Sequence, residues 1–207
     1  SAPKTRCVLW VGLICLVALA VVACAQDPAT RKQKAFERGQ GYLGQGKYNE
    51  AIIELKNALQ IDPKFASALQ ALGRAYAAKF WYADAVRELQ RAVEVEADSI
   101  QARVELARVY LEVEAWDEAL AQGEVIQEKE PGNVYGLYLV GAALQGKGRV
   151  KEGLEFLSNA VRLGPAAPEF YKAQGDALVR LDQMDEAAKA YRTALAQNPK
   201  YADALVG

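Results

Sequence analysis

Histidine is absent from all 207 residues, which removes the commonest general base and the commonest metal ligand together. Cysteine is scarce. Cys7, Cys15 and Cys24 all lie in an apolar stretch near the N-terminus, so the rest of the chain has no thiolate for zinc and no disulfide. The serines, Ser1, Ser67, Ser99 and Ser158, have no histidine to activate them and no GxSxG elbow around them. An excess of either charge is also missing: 25 basic against 26 acidic residues leave a net charge of −1 and no electrostatic case for nucleic acid. These absences predict a protein that is not an enzyme and holds no cofactor, no metal and no small-molecule substrate. A hydrophobic fraction of 52% excludes general disorder.

What is present is periodic. The stretch 48–63, YNEAIIELKNALQIDP, returns as YADAVRELQRAVEVEA at 82–97, WDEALAQGEVIQEKEP at 116–131, VKEGLEFLSNAVRLGP at 150–165 and MDEAAKAYRTALAQNP at 184–199. Each copy begins 34 residues after the last, which signals a repeat architecture.

Ahead of the repeats, Lys4 and Arg6 precede residues 7–25, CVLWVGLICLVALAVVACA, 19 residues without a charge. As a helix this run spans roughly 28 Å, close to the thickness of a hydrocarbon core. It is longer than the apolar region of a plain cleaved signal. Two readings stand. Val21, Val22, Ala23 and Cys24 resemble the lipobox of bacterial lipoproteins, which implies cleavage before Cys24, its lipidation and, with Ala25 rather than Asp following, delivery to the outer membrane. Alternatively the helix is retained in the inner membrane, with the basic N-terminus cytoplasmic and the repeats on the periplasmic or exterior side; Arg31, Lys32 and Lys34 weaken that charge asymmetry. Asp27 followed by Pro28 reads as an N-cap with proline at the first helical position, so residues 1–26 form the anchor segment and a new helix starts at once.

Counting the unit from Lys32, position 8 holds Gly39, Gly73, Ala107, Gly141 and Gly175, and position 20 holds Ala51, Ala85, Ala119, Gly153 and Ala187. Position 27 holds Ala58, Ala92, Ile126, Ala160 and Ala194, and Pro63, Pro131, Pro165 and Pro199 share position 32 with Ala97. This pattern is similar to the tetratricopeptide repeat, in units 32–65, 66–99, 100–133, 134–167 and 168–201. The resemblance implies an all-α, right-handed superhelix of five helix-turn-helix repeats behind the N-terminal hydrophobic helix. The residues agree independently: small side chains let two antiparallel helices approach, bulky ones such as Leu55, Leu89, Leu157 and Tyr191 at position 24 fill the space between repeats, and proline ends each second helix. Copy three departs with Arg103, Gly123 and Ile126, and copy four with Gly132, Gly136, Gly141, Gly146, Gly148 and Gly153. Each helical glycine costs about 1 kcal/mol relative to alanine, so the junction of copies three and four is expected to be the softest. Residues 202–207, ADALVG, match the opening of a sixth unit, and without a polar capping helix either a partner covers that end or the chain continues.

Other motifs dissolve in this frame. Gly39, Gly41 and Gly44 fit the dinucleotide spacing GxGxxG, but a charged helical run precedes them where a strand is required. Residues 41–47 and 141–147 match GxxxxGK, with Tyr48 and Gly148 in place of the magnesium-binding Ser or Thr. The pairs Asp117–Glu118 and Asp185–Glu186 suit the N-terminal ends of helices better than acid/base work.

What remains is a surface. In the tetratricopeptide family the first helix of each unit lines a concave groove through positions 2, 5, 9 and 12, which implies Phe36, Gln40, Gln70, Arg74, Arg108, Tyr135, Tyr138 and Lys172 as partner-contacting residues here. Arg74 and Arg108 share a unit position beside Tyr135 and Tyr138, which suggests a pocket for an extended segment with a carboxylate and an apolar side chain. Two arginines about 10 Å apart in water repel by only about 0.4 kcal/mol, so packing tyrosines beside unoccupied arginines are an equally physical outcome. The Lys/Asn carboxylate clamp of the family's chaperone-binding branch is missing. The expected function is a membrane-anchored scaffold of the bacterial envelope that binds other proteins. The alternative is a structural accessory subunit of a larger membrane complex, held by an uncleaved transmembrane helix; a third reading is the N-terminal targeting part of a longer enzyme.

Overall fold

The computed structural model describes residues 27–164 and 167–199, and among them it has ten α-helices and no strand. The expected anchor segment 1–26 with Cys24, and residues 200–207, lie outside the described residues. Among the described residues no helix is long and apolar enough to cross a membrane. The helices fall into two compact units. The first contains α1 (Pro28–Gly44) and α2 (Tyr48–Ile61); the second contains α3 (Ala66–Ala78), α4 (Tyr82–Val95), α5 (Ile100–Glu112), α6 (Trp116–Lys129), α7 (Val134–Gly146), α8 (Val150–Leu163), α9 (Pro168–Arg180) and α10 (Met184–Gln197).

The helix boundaries follow from local chemistry. Pro28 opens α1 and the Asp27 carboxylate accepts a hydrogen bond from the Thr30 backbone N–H at 3.4 Å. Ser99 caps α5 through the Ala102 N–H at 3.2 Å, and Asn133 caps α7 through the Tyr135 and Gly136 N–H groups. Each such cap satisfies donors that a helix start leaves open. Between the two helices of every repeat the chain needs one left-handed residue: Gly46, Phe80, Glu114, Gly148 and Asp182 all have positive φ there. Glycine adopts that conformation freely, whereas Phe80, at φ 60° and 75% exposed, holds it against its own Cβ.

Within each hairpin the position-8 glycine lies under the bulky position-24 residue. A Cβ built on Gly39, Gly73, Gly141 or Gly175 would meet Leu55, Leu89, Leu157 or Tyr191 at 2.5–2.7 Å. The bulky residues therefore lock the two helices of one repeat together, in addition to filling space between repeats. Copy three inverts the arrangement. Ala107 replaces the glycine, Gly123 replaces the bulk, and Val140 from the next repeat occupies the vacated volume, 2.8 Å from where a Gly123 Cβ would stand. Ile126 joins Val104, Ala107 and Leu139 in the same buried cluster, which accounts for isoleucine where the other copies carry alanine.

Gly132 and Gly148 of copy four serve turns at positive φ, whereas its helical glycines are also sites of close approach. Gly136 lies against Ile126 and Gln127, Gly146 against the Trp116 indole, and Gly153 against the backbone oxygen of Gly141. Their lost helix propensity is offset by contact, so the structure gives no reason for a loosened junction between copies three and four. In the second unit successive helices pack antiparallel, and the first helices also touch laterally, α3 with α5, α5 with α7 and α7 with α9. That is the stacking of an α-solenoid, and it lays one face of each first helix along a common surface.

Two substitutions test this account by chemical denaturation of the full-length protein. Phe80→Gly relieves the left-handed strain while losing little buried surface, so it should raise stability by about 0.5–1 kcal/mol. Gly153→Ala gains about 1 kcal/mol of helix propensity, but its Cβ would stand 2.6 Å from the Gly141 carbonyl oxygen, a backbone atom that cannot swing aside. The clash should win, lowering stability by about 1–2 kcal/mol.

Candidate functional site

Along the shared face of the second unit, every cation expected from the sequence meets a carboxylate of the same chain. Arg74 on α3 has its Nε 3.7 Å from Glu105 Oε1 on α5, beyond hydrogen-bond reach, and its side chain remains 46% exposed. Arg108 on α5 reaches past α7 to Glu169 on α9 and donates to its carboxylate. On the way its guanidinium lies 5.6 Å from the centroid of the Tyr135 ring. Lys172 on α9 donates to Asp176 Oδ2 at 2.8 Å, and Asp176 Oδ1 accepts the Tyr191 hydroxyl at 2.8 Å. Burial, then that hydrogen bond, pushes the Tyr191 phenol well above its ordinary range, so it stays a donor.

The tyrosines serve both packing and surface. Tyr138 stacks on Phe170, with centroids 4.6 Å apart and planes 10° from parallel, and Tyr135 meets the same ring edge-on at 5.4 Å. Phe170 is buried, Tyr138 is half-buried and Tyr135 stays exposed. Gln70 is half-buried on α3. In the first unit Gln40 is exposed on α1, whereas Phe36 is 8% exposed and offers a partner little surface, because it belongs to the apolar stripe of its helix with Ala35 and Gly39.

Two cavities open on this face, and Arg108 lines both. One, of about 390 Å³, lies among α3, α4, α5 and α7, with Arg74, Arg108 and Glu105 as its charged groups over an apolar floor of Ala77, Leu89, Val104 and Val109. The other, of about 420 Å³, has Glu112, Glu169 and Asp176 against Arg108 and Lys172, beside Trp116 and Tyr138. The first carries a net positive charge and the second a net negative one.

Glu105 is the feature that sequence reasoning missed. It is 9% exposed, at the unit position where copies two, four and five bury Ala71, Leu139 and Ala173. Its Oε1 accepts from Gln101 Nε2 at 2.8 Å, and its buried Oε2 has no hydrogen-bond partner. Burial pushes its carboxyl above the ordinary range, opposed by Gln101, Arg74 and Arg108. The signal in the sequence was weak, because copy one carries an acid, Glu37, in the same register and leaves it exposed.

The family described as TPR repeat matches residues 39–79, and that described as tetratricopeptide repeat matches residues 82–134 and 138–202. The chain belongs to the tetratricopeptide repeat family. Among solved structures, this repeat protein is similar to MamA from Desulfovibrio magneticus RS-1, with a TM-score of 0.69 and 22% identity over 82% of this chain and 96% of that one. A second MamA crystal structure gives a TM-score of 0.66 and 20% identity over 84% of this chain and 96% of that one. At such identities the likeness shows the fold. No curated protein matches the chain.

The orphaned carboxylate oxygen has a measurable cost. A carboxyl whose folded pKa is raised penalises the fold fully above that pKa, and the penalty fades as pH falls to the unfolded value near 4.3. Glu105→Leu, which copies Leu139 of the next repeat, should therefore stabilise the protein by about 1–3 kcal/mol at pH 7.5. The difference from wild type should shrink as denaturation is repeated toward pH 4.5.

Proposed function

We propose that this tetratricopeptide repeat protein is a membrane-anchored adaptor of the bacterial cell envelope that holds partner proteins along the face formed by α3, α5, α7 and α9. The observation that carries the reading is the pair of cavities on that face, which join exposed Arg74, Arg108 and Tyr135 to apolar floors. Exposed arginine and tyrosine over desolvated apolar surface is the composition in which binding energy concentrates. Gln70, Tyr138 and Lys172 extend the contact surface on either side. The uncharged run 7–25 supports the anchor, either as a retained inner-membrane helix or as a lipoprotein signal processed at Cys24 for the outer membrane. In both cases the repeats work in the periplasm or at the exterior, and no catalytic step is assigned to them.

A photo-crosslinking residue placed at Tyr135 in cells should capture a defined partner from the membrane fraction, while the same residue at Arg91, on α4, should not. Intact mass of the native protein separates a lipidated Cys24 from an uncut N-terminus. A monodisperse monomer with no cross-link from either position would sink the adaptor reading.

A further inference from the structure

The cavity among α3, α4, α5 and α7 holds a buried carboxylate that the repeat architecture does not require. Copies two, four and five fill that register with Ala71, Leu139 and Ala173, and copy three puts Glu105 there with one oxygen lacking any donor. The nearest cation, Arg74, stays 3.7 Å away, half-exposed at the cavity wall, with its donors open to a second acceptor. We propose that this cavity receives an acidic side chain of a partner protein, flanked by an apolar residue, on Arg74, and that Glu105 takes up one proton as it yields the arginine. The inference rests on the face being a binding surface, as above.

The charges balance on this account. Free, the cavity has two arginines and one carboxylate. A proton from solvent adds to the Glu105 carboxylate as its contact with Arg74 opens, and the incoming carboxylate restores the same net charge with a hydrogen-bonded partner for the guanidinium. The apolar neighbour of the acid covers Ala77, Leu89, Val104 and Val109. The groups facing Glu105 are Arg74 from α3, Gln101 and Arg108 from its own helix, and Tyr135 from α7; α4 contributes the apolar Leu89, and α6 adds no charged group to the cavity. Burial already holds the Glu105 carboxyl above its ordinary range, so loss of Arg74 moves its titration further toward neutrality. The other cavity suits an acid less well, because Glu112, Glu169 and Asp176 outnumber Arg108 and Lys172 there.

The sign of the pH dependence follows from linkage. If the bound state has the higher Glu105 pKa, affinity is weak above that pKa, rises as pH falls between the bound and free values, and levels off below both. Full-length protein in detergent is titrated by carboxyl NMR, wild type against Arg74→Met, and is tested with the capped peptide acetyl-Leu-Asp-Leu-amide and its Asn counterpart. The Glu105 midpoint should rise in Arg74→Met. The Asp peptide should bind wild type about tenfold more tightly at pH 5.5 than at pH 7.5, whereas Glu105→Gln should bind it equally at both and the Asn peptide should show no such slope. An unmoved Glu105 midpoint, a pH slope that survives Glu105→Gln, or no binding of the Asp peptide overturns the proposal. If cross-links from Tyr135 persist in that event, only this inference fails; if they are also absent, the adaptor reading falls with it.

Discussion

A glycine on one helix lying beneath a large side chain on the next is the contact on which the architecture depends. Gly39 under Leu55, Gly73 under Leu89, Gly141 under Leu157 and Gly175 under Tyr191 set how closely the two helices of a repeat approach, and any side chain at the glycine would drive them apart. The left-handed residue in each turn serves the same end by reversing the chain within a few residues. Once the hairpins close at this spacing, their remaining apolar faces can be buried only against the neighbouring repeat. In the second unit stacking of the repeats follows from that need.

Copy three shows how much freedom the constraint allows. With alanine in place of the glycine and glycine in place of the bulky residue, the space is filled by Val140 from the next repeat and by the enlarged Ile126 of the same repeat. Copies three and four are thereby keyed to each other by side chains instead of being joined by a generic interface. The same copy carries Arg103, bonded to Gln122 and to the Ala97 carbonyl, and the buried Glu105. Arg108, on the same helix, spans to Glu169 two repeats along. The irregularities of the sequence therefore gather where the surface has its cavities and opposed charges, which is where a repeat protein departs from its consensus to acquire specificity.

The fold was legible because its cause is periodic. Small residues at positions 8, 20 and 27, the Asp27–Pro28 start and the prolines behind α2, α6 and α10 each report a local event, and each appears where it was expected. The glycines of copy four were legible only as a cost in helix propensity, because propensity is a property of one residue while the close approach they permit involves two. The surface was legible only in part. Exposed Arg74, Arg108 and Tyr135 could be placed on it by register, but the acids that face the arginines, Glu105 and Glu169, come from other helices, and no spacing rule connects them. Phe36 shows the opposite failure: a position that lines a groove by register is buried when its side chain is large and apolar at the edge of its own helix stripe.

If the first helices carry the function and the second helices brace them, partner binding must leave an asymmetric footprint. Hydrogen exchange on the protein, alone and with a partner captured at Tyr135, reads that footprint directly. Added protection should fall on α3, α5, α7 and α9 and leave α4, α6, α8 and α10 unchanged. Protection confined to the second helices would contradict the account.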